Sequence, residues 1–154
     1  MSKTIEARLA DLDVTLPQAA APAANYVPFM KTGKLLLTAG QLPLKDGKLA
    51  VSGLLGRDVD TAAGKEAAKY CAINILAQVK AALGDLEKIR KLVKITVFVA
   101  SDPGFTEQHL VANGASDFLA EVLGDKGKHA RSAVGVASLP LNAAVEIEAI
   151  VETF

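Results

Sequence analysis

Apolar and polar side chains alternate most clearly over residues 93–99, where every odd position is Val or Ile. A period of two places successive side chains on opposite faces of a sheet, so this segment is predicted as a strand with one buried face. Residues 131–137 and 145–152 are also predicted as strands, and Leu139–Pro140 between them indicates a turn.

Two longer segments carry their apolar residues at helical spacing. Residues 61–83 place Ala, Leu and Val on one side and most of their Lys residues on the other. Asp60 is suited to the N-cap of this helix, and Gly84 to its end. A second helix is predicted over residues 104–123, with Asp102–Pro103 as its N-cap and first position.

The N-terminal part of the chain is less regular. Residues 4–12 predict a short amphipathic helix, and residues 16–25, which include two prolines, predict an extended loop. Residues 26–30 and 34–39 are predicted as two strands, joined by a hairpin turn at Thr32–Gly33.

The main elements therefore follow the order β-β-α-β-α-β-β. This order predicts an α+β fold in which one mixed sheet carries two helices on one face. The helices can cover only one side of the sheet, so the other side is expected to meet another subunit. The order of elements thus favours an oligomer.

Composition narrows the classes of function. The 154 residues suffice for one domain, and the 17 basic and 17 acidic residues cancel, which disfavours nucleic acid or a membrane surface as a partner. Aromatic residues make up only 5% of the chain, so a base-stacking platform is not expected. The N-terminus lacks an apolar signal segment and no stretch is long enough to span a bilayer, so a cytoplasmic protein is expected.

Several kinds of site are disfavoured by the residues available. The chain has neither a Gly-x-Gly-x-x-Gly motif after a strand nor a P-loop lysine motif. His109 and His129 lack the spacing of metal ligands, so we expect no metal. Cys71 is the only cysteine, and its apolar helical neighbours favour a buried, inert thiol.

Charged residues in the last two strands are the strongest candidates for chemistry. Arg131 opens one strand, and Glu146 and Glu148 point to the same side of the next. The arginine could pair with either glutamate within the chain, or it could bind a substrate carboxylate through its planar guanidinium. Tyr26 is interpreted from its position as a half-buried strand aromatic, and Asn113 as a helix residue facing water or an interface.

Four segments of the chain resemble the RidA/YjgF family of enamine/imine deaminases, also called endoribonuclease L-PSP. They are Asn25-Tyr-Val-Pro, Leu37-Thr-Ala-Gly-Gln-Leu-Pro, Val93-Lys-Ile-Thr-Val-Phe-Val and Ala130-Arg-Ser-Ala-Val-Gly-Val-Ala-Ser-Leu-Pro-Leu-Asn-Ala-Ala-Val-Glu-Ile-Glu-Ala-Ile. The resemblance covers about residues 20–152. It divides the chain into an N-terminal extension, 1–24, and a RidA/YjgF-like domain, 25–154.

The resemblance implies a chorismate-mutase-like fold and a homotrimer with ligand clefts between subunits. In those clefts Arg131 would bind the carboxylate of a small metabolite, and Glu146 would position the hydrolytic water. Tyr26 and Asn113 match the cleft tyrosine and helix asparagine of the family. No metal or organic cofactor is implied.

Two positions depart from the family pattern. Ala133 stands where the family has a cleft cysteine, and Ala39 replaces its small hydroxyl residue before Gly-Gln. Hydrolytic deamination of 2-imino or enamine acids to 2-keto acids and ammonia is the first hypothesis. The two alanines favour an alternative, a trimeric module that binds small carboxylates without turnover. An endoribonuclease ranks last, because the chain has zero net charge and no catalytic histidine pair.

Overall fold

A computed structural model describes residues 3–154 and contains one main sheet, three α-helices and a small hairpin. The elements in chain order are α1 (Ile5–Asp11), β1 (Phe29–Thr32), β2 (Leu35–Thr38), β3 (Leu44–Lys45), β4 (Lys48–Leu49), α2 (Thr61–Leu83), β5 (Ile89–Ala100), α3 (Gln108–Leu123), β6 (Ala130–Val136) and β7 (Val145–Thr153). Short 3-10 turns precede β5, follow α3 and precede β7.

The main sheet has five strands in the order β1-β2-β7-β5-β6. Strand β5 runs parallel to β6 and antiparallel to β7, which confirms the predicted mixed sheet. Strands β3 and β4 form a separate hairpin that the sequence did not predict. Strand β6 lies at one edge of the sheet, so its outer side has no neighbouring strand among the described residues.

Helices α2 and α3 pack on one face of the sheet, as predicted. Ile95 and Val97 of β5 and Ile147 of β7 are fully buried in one cluster with the apolar faces of both helices. Burial of this apolar surface is the main favourable contribution to the fold. The side chains on the other face remain half-buried or exposed; they include Leu35, Leu37, Thr96, Phe98, Glu148 and Ile150.

The ends of α2 agree with the sequence prediction. The Asp60 side chain accepts a hydrogen bond from the Ala63 backbone N–H at 2.8 Å, so it caps the N-terminus. Gly84 ends the helix in the left-handed conformation, at φ 80°. Helix α3 approaches α2 closely at Gly114, where a Cβ atom would lie 2.7 Å from the Lys65 carbonyl carbon.

The predicted start of the second helix is wrong. Helix α3 begins at Gln108 instead of Gly104, and Asp102–Pro103 does not cap it. The Asp102 backbone N–H donates to the Leu55 carbonyl and the Asp102 carbonyl accepts from Phe105, each at 2.9 Å. These bonds hold the segment in a turn beside the sheet and delay the helix.

The first strand begins later than predicted, at Phe29 instead of Tyr26, and ends at Thr32 instead of Met30, so Tyr26 lies outside the sheet. Pro28 has no backbone N–H to donate to a neighbouring strand. Strand β5, by contrast, begins earlier than predicted, at Ile89, four residues before Val93.

The N-terminal residues are docked onto the rest of the fold. Ile5 and Leu9 of α1, within the helix predicted over 4–12, are buried in the core cluster. Farther along, the Gln78 side chain of α2 donates to the Ala20 carbonyl at 2.7 Å. The proposed division of the chain after residue 24 stays a prediction. Among residues 3–154, no helix is long and apolar enough to cross a membrane.

Candidate active site

Arg131 is the second residue of edge strand β6, and its side chain lies on the helix-covered face. It pairs in register with Ile95, whose side chain is buried under the helices. The Arg131 guanidinium reaches α3, where Nη1 donates to Asn113 Oδ1 at 2.8 Å and to Ser116 Oγ at 3.1 Å. Nη2 donates to the His109 carbonyl at 3.1 Å.

These contacts occupy only part of the guanidinium. Arginine has five N–H donors, and the three bonds above leave the Nε–H and one Nη2–H without an acceptor among residues 3–154. The side chain is half-buried and lines a surface pocket with Ser116, Gly127 and His129. Two donors on adjacent nitrogens can bind both oxygens of a carboxylate. Arg131 is therefore pre-oriented and still able to bind an anion.

Asn113 has a partner within the chain, because its Oδ1 accepts from Arg131; a further bond from its side chain across an interface stays a prediction. It lies one helical turn before Ser116, and side chains three residues apart share a helix face. This spacing presents two oxygen acceptors to one guanidinium nitrogen. The i, i+3 spacing of Asn113 and Ser116 is visible in the sequence. Only the packing of α3 over β6 shows that both side chains contact Arg131.

Glu146 belongs to β7 and lies against Gly40. A Cβ atom at Gly40 would lie 2.8 Å from Glu146 Cδ. The carboxylate therefore occupies the space that the Cβ of any other residue at position 40 would need. Burial raises the pKa of the Glu146 carboxyl above its ordinary value, and the nearby charge of Glu148 adds to the increase. A carboxyl that holds its proton more tightly is suited to proton exchange with a substrate.

Arg131 and Glu146 do not meet within one chain. Ile147 is fully buried on the helix-covered face, so the adjacent Glu146 projects from the opposite face. Glu148 shares that opposite face. The interpretation of Arg131 as the ion-pair partner of either glutamate is therefore wrong for the single subunit, because the sheet separates them.

The two positions that depart from the family pattern lie in different halves of the site. Ala133 pairs with Val97 and packs against the core on the same face as Arg131. Ala39 precedes Gly40, and its backbone bonds to the Pro28 carbonyl and to the Gln41 side chain. Ala133 thus borders the arginine, and Ala39 borders the glutamate.

Tyr26 stands apart from both groups. It is 48% exposed in a bend before β1, and its hydroxyl accepts a hydrogen bond from the Ala23 backbone N–H at 3.3 Å. The interpretation of Tyr26 as a half-buried strand aromatic is wrong. Its assignment to the ligand cleft stays a prediction.

Cys71 is buried in α2, and its thiol contacts the Val145 carbonyl at 3.6 Å. Burial raises the pKa of this thiol well above its ordinary value, and the Glu146 charge acts in the same direction. A buried thiol that resists ionisation is a poor nucleophile, which agrees with the sequence prediction.

Comparison with known proteins identifies one family for this chain. The family model described as "YjgF/chorismate_mutase-like, putative endoribonuclease" matches residues 6–152. Protein TCP17 from Trypanosoma cruzi is 49% identical over 152 residues, which cover 98% of this chain and 95% of that protein.

Solved structures agree with this match over nearly the whole chain. The protein Atu1372 from Agrobacterium tumefaciens, described as of unknown function, has 62% identity and a TM-score of 0.92, covering 97% of this chain and 92% of its own. A "putative endoribonuclease" from Shewanella oneidensis MR-1 has 33% identity and a TM-score of 0.95, covering 97% and 99%.

Proposed function

Because the chain belongs to the YjgF/chorismate-mutase-like family, we propose that it deaminates small 2-imino or enamine acids by hydrolysis. Water adds to the C=N carbon, the C–N bond breaks, and the products are a 2-keto acid and ammonia. The imine carbon is already electrophilic, so the protein supplies orientation and proton transfer. This reaction requires neither a metal nor an organic cofactor.

The oriented guanidinium of Arg131 is the observation that carries the proposal. Asn113, Ser116 and the His109 carbonyl fix it from one side, and two N–H donors remain for a substrate carboxylate. A bidentate arginine–carboxylate contact positions a planar imino acid as well as binding it. The C=N carbon is then held at a fixed distance from the Arg131 guanidinium.

Glu146 is assigned the proton transfers. Its raised pKa favours a carboxyl that can accept a proton from the attacking water and return it to the departing nitrogen. Gly40 leaves room for the carboxylate beside the backbone. Tyr26 is proposed to close the same cleft from the segment before β1.

The proposed active unit is a homotrimer. Arg131 and Glu146 project from opposite faces of one sheet, so a site that uses both must take them from different subunits. The open face of the sheet exposes apolar residues such as Leu35 and Leu37 beside Glu148, and a second copy of the chain would cover them. Cytoplasmic localisation remains part of the proposal.

A binding module without turnover is the second candidate, and Ala39 and Ala133 favour it. They place methyl groups where a hydroxyl and a thiol could contact water or substrate, so carboxylate binding could persist without efficient hydrolysis. An endoribonuclease, the activity in the descriptions above, ranks third because the net charge is zero.

The direct test generates 2-aminoacrylate in the presence of the purified protein and measures pyruvate and ammonia above the uncatalysed rate. Arg131→Ala is expected to raise KM by about 10- to 100-fold, the range for one lost charge-assisted contact. Arg57→Ala is the matched control, because Arg57 pairs with Asp58 on an exposed loop. Pyruvate binding without acceleration would favour the binding module, and RNA cleavage that survives repurification would favour the third candidate.

A further inference from the structure

His129, Ser116 and Arg131 form a continuous hydrogen-bonded chain between β6 and α3. His129 Nδ1 lies 2.6 Å from the Gly127 carbonyl oxygen, and His129 Nε2 lies 2.9 Å from Ser116 Oγ. Ser116 Oγ also accepts from Arg131 Nη1 at 3.1 Å. None of the sequence motifs singled out Ser116, and His129 was interpreted as an ordinary histidine.

The Gly127 carbonyl at the end of this hydrogen-bonded chain selects one tautomer of the neutral His129 ring. A carbonyl oxygen can only accept, so Nδ1 of His129 carries the proton. In the neutral ring Nε2 is then an acceptor, and the Ser116 hydroxyl must donate to it. The Ser116 oxygen is left with its lone pairs facing the Arg131 guanidinium.

The histidine gives the serine a defined orientation. A serine inside a helix commonly turns its hydroxyl toward the carbonyl four residues earlier, which would withdraw it from a neighbouring side chain. Here the hydroxyl donates to His129 and not to that carbonyl. This turns the Ser116 oxygen toward β6, where it accepts from Arg131. Together with Asn113, it occupies both hydrogens of Nη1. The guanidinium plane is thereby fixed by two side chains on one helix.

We propose that Ser116 and His129 are positioning residues that fix the Arg131 guanidinium in its carboxylate-binding orientation and so set the affinity of the site. Neither residue touches the substrate in this proposal, which rests on the proposed carboxylate-binding role of Arg131. Ser116 acts by accepting from Arg131, and His129 acts by orienting Ser116.

The test uses the full-length protein and two pairs of variants, with pyruvate as the binding probe. Ser116→Ala and His129→Leu each break the hydrogen bonds that link His129 to Arg131. Ser116→Thr retains the hydroxyl, and His129→Gln retains an acceptor. We expect the first pair to weaken pyruvate binding and raise KM by about tenfold with little change in kcat, since substrate and transition state share the anchor. We expect the second pair to recover most of the affinity.

A double-variant cycle separates this effect from a general structural one. Adding Ser116→Ala to Arg131→Ala is expected to cause no further loss of pyruvate affinity, because the serine acts only through the arginine. An additional loss comparable to that of the single variant would overturn the proposal. Thermal unfolding of each variant identifies those that fail to fold, and the conservative variants then carry the comparison.

NMR of the Arg131 guanidinium supplies a readout that does not depend on ligand. Resolved, slowly exchanging Nη1 protons are expected in the wild-type protein and in Ser116→Thr, and averaged signals in Ser116→Ala. Unchanged signals in Ser116→Ala would overturn the positioning role, even if Arg131 binds carboxylates. Unchanged pyruvate affinity in Arg131→Ala would instead refute the proposed function, and the NMR signals would still decide the positioning role.

Discussion

Arg131 and Glu146 project from opposite faces of the same sheet. Arg131 pairs in register with the buried Ile95, and Glu146 precedes the buried Ile147 on β7. Strand β5 lies between the two side chains, since it pairs with β6 on one side and β7 on the other. A site that needs both groups must therefore be assembled from two subunits.

Complementation between inactive variants tests this arrangement. We expect Arg131→Ala and Glu146→Gln proteins to be inactive separately and to recover activity when co-expressed with different tags and purified through both. In a cyclic trimer of mixed composition, one site in three combines an intact arginine with an intact glutamate, so about one third of wild-type activity should return. Deaminase activity is the measurement.

The control for complementation is each variant co-expressed with a differently tagged copy of itself, which should stay inactive. Mixed trimers that fold and assemble but show no recovered activity would contradict a site shared between subunits.

Gly40→Ala is expected to displace Glu146 without unfolding the protein. The new Cβ would lie 2.8 Å from Glu146 Cδ, and a side chain reaching toward solvent can move away more easily than backbone. We expect kcat to fall about tenfold or more, because proton transfer depends on the position of the carboxyl, whereas the melting temperature should change little. Loss of pyruvate affinity with an unchanged kcat would contradict this role for Gly40.

The raised pKa of Glu146 makes stability depend on pH in a defined direction. The folded chain holds this proton more tightly than the unfolded chain, so the associated stability is present below the ordinary value of 4.5 and is lost as the pH rises through the folded pKa. Glu146→Gln cannot lose a proton at this position. Its melting temperature should therefore increase relative to the wild type across that pH range.

Thermal unfolding at a series of pH values measures this difference. Glu121→Gln, which removes a carboxylate from the exposed surface of α3, controls for the change in net charge. A Glu146→Gln difference that declines as the pH rises would show that the pKa is lowered instead of raised.

Gly114→Ala is expected to destabilise the protein by about 1–3 kcal/mol, the usual cost of overpacking. Its Cβ would meet the Lys65 carbonyl group on α2, and neither backbone can move without shifting a helix. Gly104→Ala is the control, because the nearest atom to its Cβ would lie 3.9 Å away. Chemical denaturation compares the two, and equal stabilities would refute the close helix contact.

Local patterns sufficed for most of the secondary structure. The α2 boundaries followed from Asp60 and Gly84, because capping depends on residues next to each other in the chain. The start of α3 at Gln108 was missed, because Asp102 bonds to Leu55, which is remote in sequence. The start of β1 at Phe29 was also missed, although Pro28, which cannot donate a ladder hydrogen bond, was visible within the predicted strand.

The sequence by itself determined the family, the order of elements and the identity of Arg131 and Glu146 as candidate residues. These features depend on short-range periodicity and on contiguous motifs. Only the tertiary structure decided that the two residues lie on opposite faces, and that Asn113 and Ser116 accept hydrogen bonds from the arginine. The reason is physical: strand register and the placement of α3 over β6 arise from burying the whole core, and no local pattern encodes them.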